Sequence, residues 1–384
     1  MGYVNLQPGD PAPQFRQRSF VNPRYAFDTV AGRYVVLCFL GTAADPLSRQ
    51  ALEAVAARTD LFDDDTACFF GVTADPQDEA QARIRDRVPG MRFLLDFDLT
   101  IARLYGATDR DLSAEQAASV PIRRFWVVTD PTLRVIKVIE FGERDSRAAE
   151  LLSFMDSLPP KTRFAGMELQ APVLVLPNVF EPELCQRLIG LYETHGGTES
   201  GFMQEDGGKT VARSDPRHKR RRDYDIDDPA LISELQGKFL RRVVPEIAKV
   251  HQFKVTRMER YIVACYAAEE GGHFRAHRDN TTKGTAHRRF AVSVNLNEDF
   301  EGGEVSFPEY GPRGFKAPAG GAVVFSCSLL HAVSTVTRGR RYAFLPFLYD
   351  DAAAKIREEN NRFLGEGVGA YGGAGQPARA PSSL

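Results

Sequence analysis

Three side chains in the second half of the sequence have the types and spacing of a metal chelate. His277 and Asp279 flank a single residue in His277-Arg-Asp279, and His331 follows much later. On an extended strand, positions two apart project from the same face, so this pair can grip one ion. His331 stands at the end of an apolar run, Ala322 to Leu330, and Arg341 opens another. Two imidazoles and one carboxylate leave three sites of an octahedral Fe(II) open on one side, the arrangement used for O2 activation. Two of those sites suit a bidentate 2-oxo acid and the third suits O2. A guanidinium would anchor the far carboxylate of 2-oxoglutarate through two parallel hydrogen bonds without losing its charge, and Arg341 is the expected anchor. The same donor set binds catalytic zinc in hydrolases. The arginine following the last ligand, and the strands around it, count against that reading.

Several elements must bring these residues together. Beyond Phe253 the sequence predicts short strands over Met258–Tyr266, Arg289–Asn297, Glu304–Phe307, Gly321–Phe325 and Arg341–Tyr349, with glycine-rich turns. Helices precede them: Glu181–His195, closed by Gly196-Gly197, and Pro229–His251, which Pro245 should kink or interrupt. A charged, glycine-containing loop is expected up to Asp228. Helices leading into strands predict a double-sheet barrel with supporting helices.

The first half alternates differently. Strands are predicted over Tyr34–Leu40, Ala67–Thr73 and Phe93–Asp96, with helices over Asp45–Arg58, Asp75–Asp86 and Ala102–Tyr105. A hairpin, Ile122–Asp130 with Val135–Phe141, turns at Pro131, and a helix over Ser146–Leu158 ends at Pro159-Pro160. This is an α/β pattern with helices on a central sheet. The expected organisation is residues 1–158 as one domain, 159–172 as linker, 173–352 as the second domain and 353–384 as a flexible tail.

Residues 1–158 resemble the peroxiredoxin branch of the thioredoxin fold through Gly9-Asp-Pro-Ala-Pro-Gln-Phe15, the run from Phe93 to Gly106 and the late hairpin. That family places a reactive cysteine where the first long strand turns into its helix, and a helix N-terminus there stabilises a thiolate. Here the stretch reads Phe39-Leu-Gly-Thr-Ala-Ala-Asp-Pro-Leu-Ser48, without cysteine, and Cys38 lies inside the strand pattern. With no nucleophile at the helix mouth, the domain is expected to be redox-inactive.

Residues 170–352 resemble the prolyl 4-hydroxylase type of 2-oxoglutarate- and Fe(II)-dependent oxygenases. The resemblance rests on Cys265-Tyr-Ala-Ala-Glu-Glu-Gly-Gly-His-Phe-Arg-Ala-His-Arg-Asp-Asn280, Phe300-Glu-Gly-Gly-Glu304, Pro318-Ala-Gly-Gly321 and His331 to Arg341. Together the two resemblances imply an α/β thioredoxin-like domain followed by a double-stranded β-helix, or jelly-roll, domain with supporting helices. The second also implies iron on His277, Asp279 and His331, the distal carboxylate of 2-oxoglutarate on Arg341, and an auxiliary cosubstrate hydrogen bond from Tyr266. The implied reaction consumes O2 and 2-oxoglutarate, releases succinate and CO2, and hydroxylates a C–H bond, with ascorbate as reductant. A halogenase of this fold would lack the carboxylate that Asp279 supplies. The expected substrate is an amino acid or related small metabolite. The alternatives are a peptidyl residue, or a non-catalytic interaction protein.

Composition narrows the partners. The 384 residues carry 49 basic and 51 acidic side chains, a formal charge of −2, so no overall cationic field favours nucleic acid. No long apolar run or export pattern appears, so neither membrane nor secretion is expected. Five cysteines scattered singly fit a reducing cytoplasm, and a homodimer is compatible. The densest basic run, Arg217-His-Lys-Arg-Arg-Arg222, is expected either to pair with the acids of Asp223–Asp228 on a solvated loop or to cover the iron and bind an acidic substrate. Asn280, Asn295 and Asn297 are candidate pocket residues, with strand-end hydrogen bonding as the ordinary alternative.

Overall fold

A computed structural model describes residues 2–112, 122–365 and 368–369. The chain divides into two compact units. One runs through Ala171 and includes Pro308–Pro312, and the other comprises Pro172–Phe307 and resumes at Arg313.

In the first unit, five strands pair in the order Met91–Leu95, Ala67–Thr73, Tyr34–Gly41, Phe125–Thr129 and Val135–Glu140. The first three run parallel and the last two antiparallel. Ala67–Thr73 is buried along its whole length, because apolar and β-branched residues suit a strand covered on both faces. The helix Pro46–Ala56 starts where Asp45 accepts hydrogen bonds from the Leu47 and Ser48 amides. The hairpin forms as expected, with Pro131 in its turn. The helix expected over Asp75–Asp86 covers only Pro76–Ala80, ending shortly before Ala82 takes a left-handed φ of 51°.

The second unit holds two main sheets. The smaller orders Lys219–Arg220, His273–His277, His331–Val333, Val305–Ser306 and Gly314–Phe315. The larger orders Arg257–Glu259, Phe347–Tyr349, Phe290–Asn295, Arg340–Phe344, Ile262–Ala267, Arg222–Asp225 and Thr198–Glu199, with Ala322–Ser326 and Leu174–Leu176 joined beside Phe290–Asn295. Both sheets are open ladders. The helices Pro182–His195, Pro229–Arg242 and Val244–His251 bury Leu188, Leu235, Phe239 and Ile247 in one core with Val263, Val294 and Phe344 of the larger sheet. The break at Val243 comes just before Pro245, as proline chemistry requires.

Four expectations for this unit need correction. The strand expected over Met258–Tyr266 is two, Arg257–Glu259 and Ile262–Ala267, separated where Arg260 takes a left-handed φ of 69°. The segment expected as loop up to Asp228 contains the hairpin Phe202–Asp206 with Lys209–Arg213 and the strands Thr198–Glu199, Lys219–Arg220 and Arg222–Asp225. The strand expected over Arg341–Tyr349 is two, Arg340–Phe344 and Phe347–Tyr349, separated at Leu345-Pro346. Part of the expected tail is ordered, because Asp350 caps a helix over Asp351–Glu359, followed by a 3-10 turn over Asn360–Phe363. Most of the stretch beyond Gly365 lies outside the described residues.

Candidate metal centre

His277 ends one strand of the smaller sheet, and His331 opens the strand paired with it, directly opposite in register. Asp279 lies just past the first of these strands, in a turn held by its own amide, which donates to the Cys327 carbonyl at 3.0 Å. The pair is therefore not two positions on one strand face, and His331 begins a strand rather than ending one. Even so, one ligand atom from each of the three residues lies within 4.8 Å of the others. Nε2 of His277 is 3.5 Å from one Asp279 oxygen, and Nε2 of His331 is 3.3 Å from the other.

Each imidazole is fixed through its far nitrogen. His277 Nδ1 is 2.8 Å from the Arg275 carbonyl, and His331 Nδ1 is 3.0 Å from that of Leu329. A carbonyl only accepts, so Nδ1 carries the proton and Nε2 presents its lone pair toward the cluster. Burial, reinforced by His331, pushes the His277 imidazole down to about 4, keeping it in the neutral form that ligates. Burial alone would raise the Asp279 carboxyl. The two histidines outweigh it and hold the group well below the usual carboxylate range. The donor set thus offers one anionic oxygen and two imidazole nitrogens, the types a divalent cation takes.

Arg341 points inward from the larger sheet and is 2% exposed. Its Nε donates to Asn295 Oδ1 at 3.0 Å and its Nη2 to Ser293 Oγ at 2.6 Å, whereas Nη1 is buried with no partner. Strand alternation turns Arg340 outward, where it pairs with Glu269. Tyr266 lies directly across the ladder from Arg341, its ring centroid 5.3 Å from the guanidinium carbon. Gly303 packs closely here, since a Cβ on it would stand 3.0 Å from Arg341 Cδ at a φ of +70°. Of the candidate asparagines, Asn295 orients Arg341. Asn280 donates to Ser328, and Asn297 makes strand-end bonds to Tyr342 and Arg340.

Residues 250–349, which hold all five of His277, Asp279, His331, Arg341 and Tyr266, match the family model of the 2OG-Fe(II) oxygenase superfamily. The second unit carries a 2OG-Fe(II) oxygenase domain. Residues 8–136 match the AhpC/TSA family, so the first unit carries the thioredoxin-like domain of that family. The chain is 37% identical over 112 residues to a PKHD-type hydroxylase of Pseudomonas fluorescens, covering 27% of this chain and 47% of the relative. It is 35% identical over 109 residues to the PKHD-type hydroxylase PiuC of Pseudomonas aeruginosa, covering 26% and 46%. The chain therefore spans about half the length of these curated relatives. Among solved structures, a prolyl hydroxylase of Trichoplax adhaerens, in complex with a hypoxia inducible factor peptide fragment, aligns at 17% identity and TM-score 0.36, covering 48% of this chain and 85% of that one.

The oxygenase superfamily implies Fe(II), 2-oxoglutarate and O2, and the donor set and the orphaned Nη1 of Arg341 fit the first two. Reading the sequence alone missed the inward half of the basic run. Lys219 and Arg221 are each 5% exposed, while Arg217, Arg220 and Arg222 face solvent. Arg221 donates to Asp223 through Nε and Nη2, both at 2.7 Å, and its Nη1 donates to the Tyr266 hydroxyl at 3.2 Å. Strand alternation across Lys219, Arg221 and Asp223 was the available signal. Among the described residues, no helix is long and apolar enough to cross a membrane.

Proposed function

We propose that the oxygenase domain holds Fe(II) with His277 Nε2, an Asp279 carboxylate oxygen and His331 Nε2, takes 2-oxoglutarate against Arg341 and Tyr266, and hydroxylates a C–H bond of an amino acid or related small metabolite. The observation that carries this reading is the convergence of the three donor atoms within 4.8 Å. When bound, iron with 2-oxoglutarate and O2 supplies the oxidation that yields succinate and CO2 and delivers one oxygen atom to substrate.

The chain's own residues provide placement and charge. The two imidazoles are aimed by their carbonyl contacts, burial keeps His277 neutral, and the carboxylate is kept ionised. Arg341, fixed by Ser293 and Asn295, keeps Nη1 for a carboxylate oxygen. Tyr266 accepts from Arg221, which leaves its own hydroxyl proton free to donate to the same cosubstrate. We read the two open sheets as a double-stranded β-helix around these groups. The five free, buried cysteines support a reducing, cytoplasmic setting.

The test is untargeted mass spectrometry of a metabolite extract incubated with the iron-loaded protein, 2-oxoglutarate and O2. Succinate formation together with a small molecule that gains one oxygen atom is expected. Zinc-dependent hydrolysis without succinate would contradict the reading.

A further inference from the structure

Beside the metal triad lies a second polar cluster, in which the buried Lys219, Arg221 and Asp223 meet the half-buried Ser200 and Arg260. Its charges do not balance. The single Asp223 carboxylate takes two hydrogen bonds from Arg221, one at 3.0 Å from Arg260 Nη2, and one from the Ser200 hydroxyl. Lys219 reaches no carboxylate. Its Nζ donates to Ser200 Oγ at 2.7 Å and to the Gly201 carbonyl at 2.6 Å. Three cations thus share one anion. Burial, reinforced by Arg221 and Arg260, pushes the Lys219 ammonium well below its ordinary range, and an incoming anion would restore its charge; Asp279 opposes the shift only weakly, and that carboxylate is a proposed metal ligand. An unpaired cation is costly to bury, so a surplus of this kind calls for an anion from outside the chain.

The donors are counted just as closely. An ammonium has three N–H bonds and Lys219 uses two. A guanidinium has five and Arg221 uses four, on Asp223, Ser200 and Tyr266. Ser200, accepting from Lys219 and Arg221 while donating to Asp223, has nothing left to give. One N–H on each of Lys219 and Arg221 therefore remains uncommitted.

Position relates this surplus to the chemistry. Lys219 Nζ lies 4.9 Å from the centroid of the Phe274 ring, and that ring stacks on His277 at 3.5 Å. Phe274 is the cross-strand partner of Lys219, so both side chains leave the same face of the smaller sheet. Arg221 lies against the ring of Tyr266, as Arg341 does.

We propose that Lys219 and Arg221 form a carboxylate-recognition subsite next to the metal triad, separate from the 2-oxoglutarate anchor Arg341, so that the substrate of this domain carries a carboxylate. This names the substrate class and rests on the oxygenase reading. The carboxylate can come from a free acid or from an acidic peptide side chain, since the recognition chemistry is shared.

The experiment is anaerobic titration calorimetry of the full chain loaded with Fe(II) and 2-oxoglutarate. The probes are L-leucine and L-leucinamide, L-proline and L-prolinamide, and a peptide pair differing only as glutamate or glutamine. At least one acid should bind tenfold or more tightly than its amide. In Lys219→Met that preference should fall below threefold, and Lys219→Arg should restore it. Lys219→Gln, which keeps a donor for the Gly201 carbonyl, serves if the methionine variant does not fold, and should lose the preference likewise. A preference seen only in the peptide pair assigns the carboxylate to a protein substrate. Equal binding of acids and amides, no binding of any probe, or a preference that survives Lys219→Met and Lys219→Gln would overturn the proposal. So would a tenfold or larger loss of 2-oxoglutarate affinity in Lys219→Met, because it would put the charge in the cosubstrate pocket. Acid-selective binding without succinate formation under O2 would contradict the oxygenase reading and leave the subsite standing.

Discussion

The two units handle polar groups in opposite ways where chemistry would be expected. At the helix mouth of the first unit, the polar groups satisfy one another. Thr42 donates to Asp75 at 2.7 Å, Asp78 accepts from the Ala43 amide and the Thr73 hydroxyl, Arg83 bridges Asp75 and Asp78, and Asp45 caps its helix while receiving Arg124. Cys38, on the preceding strand, is fully buried, and burial pushes its thiol well above the ordinary range. In the second unit, two imidazole nitrogens, one guanidinium nitrogen and one N–H on each of Lys219 and Arg221 are left uncommitted. Satisfied polar groups hold a fold together, and organised unsatisfied ones hold ligands.

The largest expected effect breaks the comparison at the metal. His277→Ala, Asp279→Ala and His331→Ala should each lower succinate formation by about a hundredfold or more, because one of three ligands is lost. Iron content and succinate assays on the three variants check this, and near-normal turnover in any two would mean the ligands are elsewhere.

Arg341→Ala should keep its iron and lose cosubstrate. Removing a charge-assisted contact in a desolvated site costs about 2–5 kcal/mol, roughly thirtyfold or more in the KM for 2-oxoglutarate. An unchanged KM would remove Arg341 from the anchor role.

A smaller effect is expected at Gly303, where an added Cβ meets Arg341 Cδ at 3.0 Å in a left-handed backbone. Gly303→Ala should cost about 1 kcal/mol, roughly fivefold in the same KM, through displacement of the guanidinium. Measuring the KM against iron affinity separates this from general damage, which would raise the KM and weaken iron binding together.

The smallest effect is expected in the first unit. The folded thiol of Cys38 has a raised pKa, so it stays protonated from pH 7 to 9, where a free thiol with a pKa of about 8.5 ionises. The native protein should show no Cys38 alkylation across that range and no peroxide-dependent thiol turnover. Rapid labelling at pH 8, or peroxidase activity, would erase the contrast between the units.

Much of this was legible in the residues, for different reasons. Apolar runs such as Ala67–Thr73 announced buried strands, and Pro245 announced the helix break. That His277, Asp279 and His331 belong together was legible from residue type and order, although the geometry that brings them within 4.8 Å was not. Asp279 is positioned by a turn and the Cys327 carbonyl, a long-range contact without a local signal. The strands around Lys219–Asp225 were hidden because their inward face is charged, so hydrophobic alternation could not reveal them. The helix Asp351–Glu359 was overlooked despite its Asp350 cap, because it is short and followed by polar sequence.

The central claim, that His277, Asp279 and His331 make one iron site serving a 2-oxoglutarate pocket, is tested most directly by anaerobic titration of the full chain with Fe(II), with and without 2-oxoglutarate. One iron per chain, bound more tightly when 2-oxoglutarate is present and lost in Asp279→Ala, is the expected result. Undiminished iron binding by Asp279→Ala, or iron affinity indifferent to 2-oxoglutarate, would contradict it.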